Sequence, residues 1–188
     1  AIGIDASLHA ARFWRLRRIG SVALASAPAL PFGSEAFDLV TCFDVIYQFA
    51  DEDARRALSE MHRVLRPGGL LLIREPAYEW LRGSHDVAVA TRRRFTRARL
   101  ARLLAAEGFV SRRATYANTL LFPFAAGHRL ISRLKGGASD VKPVPGLMNR
   151  MMLAALKIEA RLLDHFNFPF GLSVVMLAEK RSLSNESE

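Results

Sequence analysis

The sequence predicts an α/β fold built on a mostly parallel sheet, and residues 30–75 carry most of the evidence. One apolar run extends from Phe37 to Phe43 and a second covers Leu70 to Ile73. Between them, residues 51–65 place apolar side chains on one stripe at helical spacing. A strand, a helix and a strand, with both strands apolar throughout, are typical of parallel strands covered on both faces.

Local signals define the other elements. Pro67-Gly68-Gly69 is predicted to end the central helix, because proline cannot continue a helix and glycine accepts positive φ. Thr96 can cap the next helix, and Gly108 can stop it. The remaining predicted elements are a helix over 8–18, a strand over 21–25, a helix over 97–107, a strand over 109–118, helices near 123–134 and 146–166, and a strand over 171–180.

Several motifs in this region occur together. Leu30-Pro31-Phe32 precedes Phe37-Asp38-Leu39-Val40, and a helix ending in Arg63-Val64-Leu65-Arg66-Pro67-Gly68-Gly69 leads into the second strand. In this order and at this spacing they closely resemble the second half of the class I S-adenosylmethionine-dependent methyltransferases, particularly the small-molecule, type 11-like group. The resemblance implies methyl transfer from S-adenosylmethionine.

The same resemblance implies an architecture for the whole chain. It predicts a doubly wound, Rossmann-like, mostly parallel sheet whose final strand, residues 171–180, is antiparallel and lies at the sheet edge. Residues 1–180 would form one methyltransferase-like domain with a helical insertion at 119–170. Residues 181–188 form a polar tail that we expect to be disordered.

The cofactor site is predicted at the carboxyl ends of the strands. Residues 1–7 resemble the family's second strand, which ends in an acidic residue that accepts hydrogen bonds from the ribose hydroxyls. Asp5 would take this role, and Asp5 or Ser7 could also cap the following helix. Where the family usually has Asp then Ala against the adenine, this chain has Ser26 and Ala27. The residues that the resemblance assigns to the cofactor are Asp5, Ala6, Ser26, Ala27, Phe43 and Asp44.

The family's first strand and glycine-rich turn have no counterpart in the sequence. That turn approaches the methionine end of the cofactor, and neither Gly68-Gly69 nor Gly136-Gly137 lies in the right place. We therefore expect the chain to be a fragment or a truncated product, and residues 1–188 alone to bind S-adenosylmethionine poorly. The strands beside the missing strand should then have unpaired edges.

The acceptor site is predicted in the long loop after the second apolar strand, where α/β proteins commonly hold substrate. Pro76 to Asp86, followed by Arg92 to Thr96, resembles a subgroup with a Pro-Ala-Tyr-x-Trp-Leu loop and a His-Asp pair. His85 is the candidate base for an acceptor that must lose a proton, and the alternative is a loop histidine without a chemical role. The residues assigned to a small or lipid-linked acceptor are Tyr47, Gln48, Tyr78, Trp80 and Arg94.

Three interpretations of the insertion at 119–170 remain open. Its two amphipathic helical stretches and its Met- and Phe-rich face suit a helical cover packed on the sheet. They also suit a lid over an apolar or lipid-like substrate, or a contact with a second copy or a membrane surface.

Composition narrows the class of protein. The chain has 188 residues, of which 51% are hydrophobic, enough for one substantial core. Its net charge of +9 comes largely from arginine clusters, but no nucleic-acid-binding fingerprint accompanies them, so we expect no specific nucleic-acid partner. A single cysteine, Cys42, fits a cytoplasmic protein without an intrachain disulfide. With no His or Cys cluster at ligand spacing, we expect no metal.

Two other functions compete with methyl transfer. The first is a non-catalytic remnant of the same fold that binds no cofactor and serves as a partner-binding module. The second is half of an NAD-type dehydrogenase, because an acidic residue after the second strand occurs in both folds. The motif at residues 63–69 and the final strand argue against the dehydrogenase.

Overall fold

The fold alternates strands and helices in a computed structural model that describes residues 1–17, 20–83, 86, 90–135 and 146–181. Short 3-10 turns occur at Ile46–Gln48 and Glu79–Leu81. The described strands are β1 (Gly3–Asp5), β2 (Val22–Leu24), β3 (Phe37–Phe43), β4 (Leu65–Pro76), β5 (Phe109–Ala117) and β6 (Ser173–Lys180). The described helices are α1 (Leu8–Leu16), α2 (Asp51–Val64), α3 (Arg97–Ala106), α4 (Phe122–Lys135) and α5 (Gly146–Leu163).

The strands form two sheets. β1 pairs in parallel with β2, and the other four strands are arranged in the order β3-β4-β6-β5. β3 and β4 are parallel, whereas β6 is antiparallel to both of its neighbours, β4 and β5. The predicted α/β class, with a mostly parallel sheet and an antiparallel final strand, is therefore confirmed.

The predicted position of the last strand was wrong. β6 lies inside the sheet, with Leu177 opposite Leu72 of β4 on one side and Arg113 of β5 on the other, and β5 is the edge strand. The apolar residues Val174 and Met176 of β6 are buried. A strand in the interior of a sheet buries such side chains more completely than an edge strand does. Sequence reasoning identified the strand and its direction but not its neighbours.

The core lies on one face of the four-stranded sheet. Leu71 and Ile73 of β4 are fully buried in one cluster with Leu58 of α2 and Leu104 of α3. The alternate residues of β4, among them Leu72, are only half-buried. We predicted strands covered on both faces. In the described residues α2 and α3 pack on the same face of the sheet, so the prediction holds for that face alone. Cys42 belongs to this core, and burial raises the pKa of its thiol.

The helix before Pro67 ends earlier than predicted. α2 stops at Val64, and Leu65 pairs with Phe37 as the first residue of β4. Regular pairing resumes at Leu39 and Leu70, so the Pro-Gly-Gly motif forms an irregularity within the strand rather than a turn before it. Gly68 has a φ of 76° at this point, where other residues would be strained. Leu65 is fully buried, and this burial favours its place in the sheet.

The two sheets share no hydrogen-bonded strand pair within the described residues. The edge of β3 that faces away from β4 has no partner there. Leu39 and Phe43, which lie on one face of β3, are about half exposed. Each sheet thus has its own edge of carboxyl strand ends. One edge is formed by β1 and β2, and the other by β3 and β4.

Two glycines provide a stability test with opposite signs. Gly108 has a φ of 84°, and an added Cβ would lie 3.0 Å from Nε2 of His62. Gly108→Ala should lower the free energy of unfolding by more than about 1 kcal/mol, since both the backbone and the space are unfavourable. Gly127 lies within α4 with open space around it, so Gly127→Ala should stabilise by about 0.5–1 kcal/mol. Urea denaturation measures both, and equal stability of the two variants would contradict this account.

Candidate functional site

The carboxyl ends of β1 and β2 place Asp5 beside the loop that follows β2. The N–H of Ala25 donates to the Asp5 carbonyl at 3.0 Å. One carboxylate oxygen of Asp5, Oδ1, accepts the Ser7 N–H at 2.8 Å, and Oγ of Ser7 accepts the Ala10 N–H at 3.4 Å in the first turn of α1. The second oxygen, Oδ2, accepts no hydrogen bond from the described residues, and the side chain is exposed. A ligand hydroxyl can therefore reach it.

The loop with Ser26 and Ala27 is held in place by α2. Ser26 forms a tight turn in which its carbonyl accepts the Ala29 N–H at 3.0 Å, and Ala27 packs against the core. The Glu60 carboxylate accepts the Leu30 N–H at 2.9 Å, and Arg63 donates to the Leu30 carbonyl at 3.2 Å. The hydrogen bond from Arg63 also lowers the pKa of Glu60. These contacts fix the loop next to the edge that carries Asp5.

A second group lies at the carboxyl ends of β3 and β4. Asp44 has a φ of 55°, and its N–H donates to the Arg74 carbonyl at 2.8 Å. The Asp44 carboxylate forms an ion pair with the Arg74 guanidinium, which lies 5.2 Å from the centre of the Phe43 ring. Nε of Arg74 is buried without a hydrogen-bond partner among the described residues. This group offers a cation, a carboxylate and an exposed aromatic ring.

The structure thus divides the predicted cofactor residues between the two edges. Asp5, Ala6, Ser26 and Ala27 belong to the first, whereas Phe43 and Asp44 belong to the second. No hydrogen bond, ion pair or ring contact among the described residues joins the two groups. The connection runs indirectly through α2, which holds the Ser26 loop and follows β3 in the chain.

Glu75 is a buried carboxylate whose role sequence reasoning missed. Its Oε1 accepts N–H groups from Val45 at 3.4 Å and Ile46 at 2.9 Å, and its Oε2 accepts the Tyr47 N–H at 3.1 Å. Burial raises the pKa of Glu75 to about 8, while the three N–H donors oppose this change. The carboxylate therefore orders the turn after Asp44 rather than facing a substrate. An acidic residue that ends an otherwise apolar strand was the available signal.

The predicted acceptor residues Tyr47 and Gln48 lie in this turn. Tyr47 is buried in the core, and its hydroxyl accepts a hydrogen bond from Nε2 of Gln48 at 2.9 Å. The Tyr47 carbonyl accepts the N–H groups of Arg92 at 3.0 Å and Arg93 at 3.2 Å. Tyr47 therefore supports the loop that leads to α3, while the Gln48 side chain is exposed.

An aromatic shelf forms where β4 and β5 end, and we define it as Tyr78, Trp80, Tyr116, Phe122 and Phe170. Tyr78 stacks on Tyr116 at 5.2 Å between ring centres and on Trp80 at 6.1 Å. Phe122 meets the edges of Tyr78 and Trp80 and contacts Phe170 at 5.3 Å. Trp80 keeps 43% of its surface exposed. The shelf can hold a flat or apolar group.

The structure gathers only part of the predicted acceptor pocket. Tyr78 and Trp80 come together, whereas Met148 and Met151 of α5 are exposed. Tyr116 and Phe122 were not predicted, because nothing in the sequence indicates that β5 and the start of α4 meet the loop after β4. The candidate base His85 lies outside the described residues.

Arg94 is engaged in a buried ion pair rather than free at the surface. Its Nε donates to the Asp86 carboxylate at 2.9 Å, and its Nη1 donates to the Ala77 carbonyl at 3.0 Å. Asp86 also accepts the Gly83 N–H at 2.8 Å. Arg129 of α4 donates to the Leu81 carbonyl at 2.9 Å and lies 3.8 Å from Asp86. The pair therefore fastens the loop after β4 to the insertion.

A separate open groove of about 490 Å³ lies between α2 and α3. Its walls include none of the predicted site residues and carry four arginines and one carboxylate. Those charged residues are Asp51, Arg55, Arg93, Arg99 and Arg102. We assign it no part in the site, because the polar groups at the strand ends lie elsewhere.

Residues 1–73 match the methyltransferase domain family, and this range contains Asp5, the Ser26 loop, Phe43 and Asp44. The fold is that of the class I methyltransferases. A solved S-adenosylmethionine-dependent methyltransferase from Methanosarcina mazei shares it, with a TM-score of 0.57 and 18% identity over 96% of this chain and 82% of that one. The cyclase SpnF also shares it, with a TM-score of 0.56 and 21% identity over 96% of this chain and 66% of that one.

Similarity to a curated protein is confined to a shorter stretch. The ubiquinone/menaquinone biosynthesis C-methyltransferase UbiE of Shewanella sp. strain ANA-3 is 42% identical over 66 residues. The match covers 34% of this chain and 26% of that protein, so the chain spans about a quarter of the relative's length. The similarity of fold thus extends over almost the whole chain, whereas the match to the family covers residues 1–73.

The Asp86–Arg94 pair should stabilise this methyltransferase-fold protein in a pH-dependent way. Burial acts to raise the pKa of Asp86, but the Gly83 N–H and Arg94 lower it below its ordinary value of 3.8. The stabilisation is therefore complete above that value and is lost as the pH falls through the lower pKa of the folded state. Asp86→Asn should cost about 3–5 kcal/mol at pH 7, because it leaves the Arg94 charge buried and unpaired.

Denaturant unfolding between about pH 3 and pH 7 measures this effect, a range that spans the ordinary Asp pKa. The matched control is Asp164→Asn, at an exposed position after α5, which should change stability by less than about 0.5 kcal/mol. Equal losses in the two variants would contradict a structural role for Asp86.

Proposed function

We propose that this protein transfers a methyl group from S-adenosylmethionine to a small or lipid-linked acceptor. The observation that carries the proposal is the exposed Asp5 carboxylate at the carboxyl end of β1, inside the range that matches the methyltransferase domain family. A carboxylate with one open oxygen suits a ligand that presents neighbouring hydroxyls, as a ribose does. We assign the protein to the cytoplasm, in keeping with its single buried cysteine.

The residues at the two strand edges fit the chemistry of this cofactor. Asp5 would accept the ribose hydroxyls, the Ser26 hydroxyl and Ala27 would meet the adenine, and Phe43 would offer an apolar ring. The unpaired Nε–H of Arg74 would suit a carboxylate at the amino-acid end. When bound, the cofactor supplies an electrophilic methyl group on a sulfonium. The chain itself would contribute binding and alignment, which supply most of the rate enhancement in such a transfer.

The aromatic shelf would hold the acceptor. Trp80 and Phe170 present exposed ring surface, and Tyr78 and Phe122 support them from below. Such a surface favours an aromatic ring or an apolar chain over a highly charged acceptor. The similarity to a protein named for ubiquinone and menaquinone biosynthesis supports a lipid-linked acceptor. His85 would remove the proton if the acceptor atom carries one.

The cofactor assignment predicts a selective effect of Asp5. In the full-length protein, Asp5→Ala should weaken S-adenosylmethionine binding by about 1–3 kcal/mol, because hydrogen bonds to a charged group are lost. Isothermal titration calorimetry measures this affinity. Asp38→Ala is the control: it removes an exposed Asp that pairs with Arg66 at the opposite end of β3 and should leave the affinity unchanged. Unchanged affinity in Asp5→Ala would remove Asp5 from the site.

The acceptor assignment predicts a different effect of Trp80. Trp80→Ala should raise KM or lower kcat for a prenylated phenol while leaving cofactor affinity nearly unchanged, since the side chain would touch only the acceptor. Arg112→Ala, which removes an exposed side chain of β5 outside the shelf and away from α4 and α5, should leave both kinetic constants as they are. Equal loss of cofactor affinity and turnover in Trp80→Ala would indicate a role in the core instead.

The same assay separates methyl transfer from the non-catalytic alternative. Transfer of a labelled methyl group from S-adenosylmethionine to the acceptor supports the proposal. Absence of both cofactor binding and transfer to any of a panel of phenols, amines and lipid extracts would favour a non-catalytic binding module on the same fold. The similarity to the cyclase SpnF is a reminder that one fold can host different chemistry.

A further inference from the structure

Helix α5 presents an apolar stripe to solvent. Leu147, Met151 and Ile158 are spaced four and seven residues apart, so they lie along one side of the helix. They are 73%, 66% and 53% exposed, respectively, and Leu162 continues the line. We call these four residues the α5 stripe. An aligned row of large apolar side chains on a surface usually marks an interaction site.

A different side of α5 faces the protein. Glu159 is buried there, and its carboxylate accepts the Leu120 N–H at 2.9 Å. The end of the helix is held by Arg113 of β5, which donates to the Phe166 carbonyl at 3.0 Å and to Oδ1 of Asn167 at 2.7 Å. These contacts fix the helix on the protein and leave the α5 stripe exposed to solvent.

The charges beside the α5 stripe are all positive. Arg150, Lys157 and Arg161 are spaced seven and four residues apart, so they form a row along one flank of the stripe, and all three are exposed. The single acidic residue of α5 is the buried Glu159, and α4 contains no acidic residue at all. Within the two helices there is therefore no exposed carboxylate that would repel an anionic surface. The exposed Asp164 follows the end of α5, beyond the row of basic residues.

Helix α4 adds apolar surface of the same kind. Phe124 is 78% exposed, and Leu130 and Ile131 are each more than half exposed. No described helix is long and apolar enough to cross a bilayer, so a membrane contact through these helices would be at the surface. Apolar side chains flanked by basic ones are the pattern of helices that lie in the interface of an anionic bilayer. A nucleic acid would satisfy the basic row but would leave the apolar stripe uncovered.

We propose that α4 and α5 dock this protein on an anionic lipid bilayer, with the α5 stripe inserted among the headgroups. Arg150, Lys157 and Arg161 then lie against lipid phosphates, and the net charge of +9 adds long-range attraction. Docking itself is independent of the proposed methyl transfer. Its use for delivering a lipid-linked acceptor rests on that function. Phe122 of the aromatic shelf is the first residue of α4, and Phe170 of the shelf follows α5 in the chain.

Vesicle flotation with the 188-residue chain tests the docking. The chain should float with vesicles of equal parts phosphatidylglycerol and phosphatidylcholine and remain in solution with pure phosphatidylcholine. Raising the ionic strength from about 0.05 M to about 0.5 M should weaken binding, because surface charges are then screened. Met151→Glu combined with Ile158→Glu should reduce binding by about tenfold or more, since two charges enter the inserted stripe.

A charge-matched pair of variants locates the contact. Lys157→Glu and Arg56→Glu change the net charge equally, but Arg56 lies on α2, where it pairs with Glu52. Lys157→Glu should weaken vesicle binding by about tenfold and Arg56→Glu by much less. Equal losses would overturn the assignment to α5 in favour of general attraction to the net charge. Circular dichroism checks that each variant is folded.

Two further outcomes would overturn the proposal. One is the absence of binding to phosphatidylglycerol vesicles at low ionic strength. The other is a dimer by light scattering that Met151→Glu converts to a monomer, which would make a second copy of the chain the occupant of the stripe. Asp5→Ala should retain full vesicle binding, so failure of the cofactor assignment remains distinguishable from failure of membrane docking.

Discussion

The arrangement of the loops beneath the aromatic shelf depends on one buried carboxyl group. Glu75, the last residue but one of β4, accepts three consecutive backbone N–H groups from residues 45–47, which no neighbouring strand satisfies. Without it, a turn that the core buries would contain unpaired donors. The turn in turn presents the Tyr47 carbonyl to the N–H groups of Arg92 and Arg93. A single side chain thus links the end of β3 to the loop before α3.

The same loop also positions the aromatic shelf through backbone hydrogen bonds. Phe95 donates its N–H to the Pro76 carbonyl at 2.8 Å and accepts the Tyr78 N–H at 3.0 Å. Tyr78 has a φ of 55° and stacks between Tyr116 and Trp80, so its ring position depends on the backbone on either side. The Asp86–Arg94 pair closes the other end of the same loop. The shelf is therefore held by polar contacts beneath it rather than by packing alone.

Features that depend on local sequence pattern could be predicted from the sequence. Features that depend on residues far away in the chain could not. The apolar periodicity of α2 and the capping of α3 by Thr96 were predictable, and Thr96 does accept the Arg99 N–H. The end of α2 was misplaced because Leu65 is drawn into the sheet by Phe37, a residue far away in the chain. The hydrogen bonds of Glu75 could not be predicted for the same reason, because its partners are backbone N–H groups that no sequence motif identifies. Asp5 ends β1 and Ser26 follows β2, and because the two strands are parallel their carboxyl ends lie at one edge.

The interior position of β6 also determines when the sheet can form during synthesis. β5 hydrogen bonds to β6 alone among the described strands, so residues 109–117 emerge from the ribosome long before their partner exists. Until Lys180 has been made, β5 and one side of β4 present open strand edges, the kind of surface that pairs with other chains. Closure requires contacts between segments far apart in sequence, which slows folding. Nascent chains of this protein would therefore benefit from a chaperone that shields β4 and β5 while α4 and α5 are being translated.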